Sequence, residues 1–198
     1  MALKLITAPT VEPVTMALAK EHCKIPTDVT DEDTWLTNKI VGARRWFEGH
    51  THRQLCTATW DEYFDDFCPD AEGIIRLQLP PLQSITHVKY YDADDTLQTW
   101  TSTLYQVDAV SEPARLKYAY GQSYPSVRGG KMNAVVVRMV SGYGAAADVP
   151  QDIRDAILRV VSLMNEIRED SVTGTIISQL GTGGVMETVR RYWVPQSV

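Results

Sequence analysis

Apolar positions along the chain change period twice. From Trp35 to His50 they recur at helical spacing, with Trp35, Leu36, Ile40, Ala43, Trp46, Phe47 and His50 on one face and Lys39, Arg44, Arg45 and Glu48 on the other. The pattern predicts an amphipathic helix that ends near His50 to Leu55. Asp31, Glu32 and Asp33 sit where its dipole favours negative charge. A shorter helix precedes it, opened by Pro13, carrying Met16, Leu18 and Ala19, and closed by Pro26. From Thr57 to Val140 the period becomes two. Ile75, Leu77 and Leu79 alternate with Arg76 and Gln78. Val88 and Tyr90 alternate with His87 and Lys89, Leu116 and Tyr118 with Arg115 and Lys117, and Val135, Val137 and Met139 with Val136 and Arg138. These are half-buried antiparallel strands, interrupted by a polar turn at Asp92 to Asp95 and a loop from Gly121 to Gly130. Pro150 opens a second long helix with the stripe Ile153, Ala156, Ile157, Val160, Val161, Met164 and Ile167. Gly174, Gly181, Gly183 and Gly184 mark a flexible connection to a short, helix-compatible segment from Met186 to Trp193.

The expected fold is therefore α+β, a small helical bundle from the N- and C-terminal helices carrying an inserted antiparallel β module. Its expected bounds are residues 1–56 and 145–180 for the bundle, 57–144 for the β module and 181–198 for a C-terminal tail. With 198 residues and 44% hydrophobic composition, the chain can bury a core without disulfide staples. The longest apolar runs, such as Met16 to Ala19, are far short of the about 20 residues that span a membrane. Met1 to Thr10 lacks the character of a signal peptide, so the chain is expected to stay in the cytoplasm where it is made.

Charge narrows the function. The chain carries 19 basic and 25 acidic residues, a net charge of −6, with no basic stripe of the kind that grips phosphates. Asp61, Glu62, Asp65, Asp66, Asp70 and Glu72 form an acidic run that reads first as a solvated loop face. Cys23, Cys56 and Cys68 are odd in number and irregularly spaced, as in reduced cytosolic thiols.

Candidate chemistry is thin. His50, His52 and Cys56 supply at most three local metal ligands where zinc needs three or four converging ones, so capping and exit of a helix explain them better. Asp92, Asp94 and Asp95 lack the glycine and distal glutamate of a calcium loop. Gly181-Thr182-Gly183-Gly184 is not followed by the Lys-Ser/Thr of a phosphate loop, and no Gly-x-Ser-x-Gly elbow occurs. No catalytic, cofactor or metal site is expected.

Several segments together carry a family resemblance. Leu5-Ile6-Thr7-Ala8-Pro9 with Pro13-Val14-Thr15 resembles the opening of phage head–tail connector (adaptor) proteins. Ala43-Arg44-Arg45-Trp46-Phe47-Glu48 and Thr51-His52-Arg53-Gln54-Leu55 resemble the family's second helix and its Thr-Gly-Arg-x-Leu exit, with His52 in place of the usual glycine. Pro80-Pro81-Leu82-Gln83-Ser84-Ile85 with Tyr90-Tyr91-Asp92 is similar to the central hairpin. Ser141-Gly142-Tyr143-Gly144, Val149-Pro150 and Asn165-Glu166-x-Arg168 are similar to the strand exit and late helix. The order is collinear over nearly the whole chain, and only the terminal Glu187 to Trp193 matches loosely.

The resemblance implies a virion protein of tailed double-stranded DNA phages or gene transfer agents. Such a protein is a structural subunit of a homo-oligomeric ring beneath the portal, of twelve-fold order to match it, bound to the portal and to a tail or stopper protein. DNA passes through without sequence-specific contact. Two rivals remain: a tail-completion or other axial phage protein, and a metal-dependent hydrolase using His50, His52 and the acidic run. Within the connector reading, Val185, Val189, Arg190, Arg191, Tyr192, Trp193 and Val194 are expected to dock on the portal from a glycine tether, since exposed Tyr, Trp and Arg make binding hot spots. Lys39, Arg44 and Arg45 on one helix and Asp152, Asp155 and Glu166 on another are expected to meet between neighbouring subunits.

Overall fold

The computed structural model describes residues 2–67, 69–166 and 184–195. It is an α+β fold of two compact units. One gathers Met1–Pro9, His52–Tyr143 and Val194–Val198, the other Thr10–Thr51 and Gly144–Trp193. The bounds differ from those expected at both ends: residues 1–9 and 52–56 belong with the sheets, and the C-terminal tail is divided between the units. Cys68, the tether glycines Gly174, Gly181 and Gly183, and Ile167 and Arg168 lie outside the described residues.

In the sheet unit, β1 (Ala2–Thr7), β2 (Ala58–Phe64), β4 (Leu82–Tyr91), β5 (Leu97–Trp100) and β8 (Val135–Ser141) form one antiparallel sheet in the order β1-β2-β8-β4-β5. A second sheet is built from β3 (Ile75–Leu77), β6 (Tyr105–Asp108) and β7 (Ala114–Tyr118) in the order β3-β7-β6. The pairing of β2 with β8 runs unbroken from Ala58 opposite Ser141 to Phe64 opposite Val135. Alternation then sorts the side chains. Phe64, Val137, Met139, Val88 and Trp100 enter a core with Ile75, Leu77 and Leu116, while Asp61 and Arg138 share the other face. Phe67, Trp100 and Tyr124 fill the core with ring centroids 5.1–5.6 Å apart, an edge-to-face and offset geometry that aromatic quadrupoles favour. The turn Asp92–Asp95 forms as the sequence predicts, because Asp92 Oδ1 accepts from the Asp94 and Thr96 amides.

The helical unit holds α1 (Met16–His22), α2 (Asp33–Thr51), α3 (Gln151–Glu166) and α4 (Val185–Tyr192). Thr15 caps α1 by accepting from the Leu18 amide at 3.3 Å. Leu36, Ile40, Ala43 and Phe47 of α2 are buried, as are Ile153, Ala156, Ile157, Val160 and Val161 of α3 and Val185 and Val189 of α4. Helix α3 packs against α1, α2 and α4. Among the described residues no helix is long and apolar enough to cross a membrane.

Candidate functional site

Three of the segments that carry the family resemblance, around Gln54, Pro80 and Gly142, meet in the sheet unit. The Gln54 amide donates to Pro80 O at 3.0 Å, the Gly142 amide to Pro81 O at 2.9 Å and the Tyr143 amide to Leu55 O at 2.8 Å. Gln83 Nε2 closes the knot on Gly142 O at 2.7 Å. Gln54 accepts from Trp60 Nε1 and donates to Cys56 O. Arg53, itself buried, donates to Glu112 and to Tyr143 Oη. Gly142 has φ 120°, and a Cβ there would lie 2.6 Å from the Cys56 carbonyl, so only glycine fits. His52 has φ 56°, a left-handed conformation that glycine adopts more freely than histidine.

The acidic run is not one solvated face. Asp61 accepts from Arg138 through two bonds of 2.7 and 2.8 Å, and this pairing holds its carboxyl below the usual range. Asp65 accepts from the Asn133 amide, Asp66 from the Phe67 amide and Asp70 from the Glu72 and Ile74 amides. Glu62 is buried, with the Gln78 amide donating to its Oε2 at 3.1 Å and, among the described residues, no partner on Oε1. Burial raises its pKa to about 7 against the lowering effect of that single amide. Sequence reasoning counted Glu62 among loop acids. The signal was present in the alternation Ala58, Trp60, Glu62, Phe64, which puts it on the core side.

Among the described residues no group of three or more His, Cys, Asp or Glu is placed to hold a metal ion. His50 stacks on Trp46 with its Nδ1 2.8 Å from Trp46 O, Cys56 is buried, and Asp92 is spent on its turn.

The residues expected to dock or to join subunits separate into buried and exposed. Arg44 is 6% exposed and bonds Glu12 and Glu48 at 2.7 Å each. The expectation of a charged outer face at Arg44 is corrected: the α2 stripe 36, 40, 43, 47 includes position 44 on its flank, so the guanidinium needs partners from its own unit. Asp152 accepts from Arg191 Nη1 at 3.1 Å and from Tyr192 Oη at 3.0 Å, so a group expected to face a neighbouring subunit binds two expected to face the portal. Val185 and Val189 are buried in the helical unit and Val194 in the sheet unit beside Leu79, Pro80 and Pro113. The expectation that Val185, Val189 and Val194 dock on the portal is corrected too: the valines four apart on α4 face α2 and α3. Arg45, Asp155, Glu166, Arg190, Arg191 and Trp193 remain exposed, and Lys39 lies over the Trp35 ring at 4.8 Å.

No protein-family description and no curated protein matches the chain. Solved structures do. A chain in the virion of a native gene transfer agent particle matches with TM-score 0.79 at 18% identity, covering 100% of this chain and 98% of that one. A chain in the neck of an empty gene transfer agent particle, computed with C6 symmetry, matches with TM-score 0.77 at 20% identity and the same coverage. A chain in the neck of the native particle, computed with C12 symmetry, matches with TM-score 0.74 at 18% identity and again the same coverage. This protein therefore shares its fold, end to end, with chains of gene transfer agent particles.

Proposed function

We propose that this protein is a structural subunit of a tailed-phage or gene-transfer-agent virion, placed at the neck, where it acts as a head–tail connector. Copies form a ring beneath the portal, join it to the tail or to a stopper protein, and line part of the channel through which DNA passes. The observation that carries this reading is the mutual end-to-end likeness to neck chains, 100% of this chain against 98% of theirs. The C6 and C12 symmetry of those necks supports a ring. A net charge of −6 suits a conduit past which DNA slides without phosphate-gripping contacts. The role is connective rather than enzymatic.

With the valines of the tail in cores, portal docking falls to the exposed Trp193, Arg190 and Arg191, and subunit contact to Lys39, Arg45, Asp155 and Glu166. Co-expression with the portal of the same particle tests the reading. A stable portal complex that Trp193→Ala weakens at least tenfold, with the variant still folded, supports it. Equal binding by the variant removes Trp193 from the interface, and no binding by the native chain removes the portal as partner.

A further inference from the structure

The sheet unit sorts its charge by position. In the five-stranded sheet, alternation sends Phe64, Val88, Trp100, Val137 and Met139 into the core and leaves an outer face to which all five strands contribute. One row across that face reads Lys4 of β1, Asp61 of β2, Arg138 of β8 and His87 of β4. The next row reads Ala2, Tyr63, Val136, Lys89 and Thr99. Among these strand positions the acid is Asp61, and it is buried with its carboxylate spent on Arg138. Among the described residues neither Lys4 nor Lys89 pairs with an acid. Asp65 and Asp95 lie beyond the strand ends, held by the Asn133 amide and by Lys131. Solvent therefore meets a basic face on a chain whose net charge is −6. No single stretch of sequence shows it, because its bases come from β1, β4 and β8.

The kind of charge selects the partner. Arg138 uses Nε and Nη2 on Asp61, so the face offers lysine heads rather than a free guanidinium fork that would clamp a phosphate or carboxylate in one geometry. Lysine is a flexible, strongly hydrated point charge that attracts phosphates without fixing their register. Protein interfaces go the other way, enriched in arginine and depleted of lysine, so a docked protein fits this face poorly. The charge is also extended. Three strand spacings, about 14 Å, separate β1 from β4, and a duplex carries one charge per about 1.7 Å of its axis. A line of phosphates matches that span better than a small anion does. Attraction without grip keeps a moving duplex on the axis, while the remaining, more acidic surface holds the backbone off.

We propose that the outer face of the five-stranded sheet is turned to the channel and touches the phosphate backbone of passing double-stranded DNA through Lys4 and Lys89. This inference rests on the connector reading above and names the surface that the duplex meets. The test titrates a short, labelled, random-sequence duplex with the full chain, read by fluorescence anisotropy in salt from about 20 to 200 mM. The proposal expects binding that weakens as salt rises. Lys4→Gln with Lys89→Gln lowers the slope of log affinity against log salt by about 2, with an unchanged melting curve. Lys24→Gln with Arg76→Gln removes the same charge elsewhere and keeps the native slope. Equal slopes for the two double variants overturn the proposal, as does a native chain that binds no duplex at the lowest salt. Photocrosslinking in DNA-filled particles separates this result from the ring reading. With benzoylphenylalanine in place of Leu97, which shares the face opposite Tyr91, the proposal expects crosslinks to DNA. Crosslinks to protein alone give the face to that protein and overturn the proposal, while the place in the neck stands. A chain absent from the necks overturns the connector reading and this inference with it.

Discussion

Glu62 is the residue at which this fold departs most from its own logic. It occupies a core position of β2 with one amide donor and one unpartnered oxygen, so burial favours its protonated form. Its pKa rises from 4.5 to about 7 in the folded chain. The stability this gives is fully present below pH 4.5 and is lost as pH rises toward 7, because only the unfolded chain ionises in that window. Glu62→Gln removes the titration. Its melting temperature relative to the native chain should therefore climb between pH 4.5 and 7, by the equivalent of about 3 kcal/mol, and stay level above. A constant difference across that range would show that Glu62 is solvated. Arginine makes the complementary case. Arg44→Ala removes the buried guanidinium that bonds Glu12 and Glu48 and should cost about 3 kcal/mol in denaturant unfolding, whereas Arg45→Ala, at an exposed neighbour, should stay within about 0.5 kcal/mol. One position apart, the two arginines look alike in a helical pattern that reads apolar residues alone.

At the scale of elements, periodicity located α2, α3 and the strands β3, β4, β7 and β8 because each has enough alternating or stripe-forming residues to define a buried face. It missed β1, whose residues are mostly exposed and whose pairing with β2 is set across more than fifty positions of sequence. It also misread α4. A short terminal segment rich in Val, Tyr, Trp and Arg has the composition of a docking tail, and the same composition serves a helix that buries Val185 and Val189 and turns Tyr192 onto Asp152. The two roles separate by position. Val189→Ala should lower stability by about 2 kcal/mol, while Trp193→Ala, at a residue 53% exposed, should leave the melting temperature unchanged. An equal loss for both would place Trp193 in a core as well.

For the whole molecule, the likeness to virion structural chains was legible in part because the segments on which it was read are structural. Thr51 to Leu55, Pro80 to Ile85 and Ser141 to Gly144 converge through backbone hydrogen bonds around a glycine that tolerates no side chain. The whole fold is shared with gene transfer agent chains at 18–20% identity. The interaction surfaces were less legible, since a charge or an aromatic ring facing a partner copy reads the same in sequence as one facing its own core.

The proposed ring of copies between portal and tail is tested most directly by a symmetry-free cryo-electron-microscopy reconstruction of the necks of particles assembled with this chain carrying an affinity label on an exposed loop. A connector ring puts label density in a closed circle of identical subunits immediately below the portal, coaxial with the DNA channel. Label on the capsid shell, along the tail tube, or absent from complete particles would contradict it.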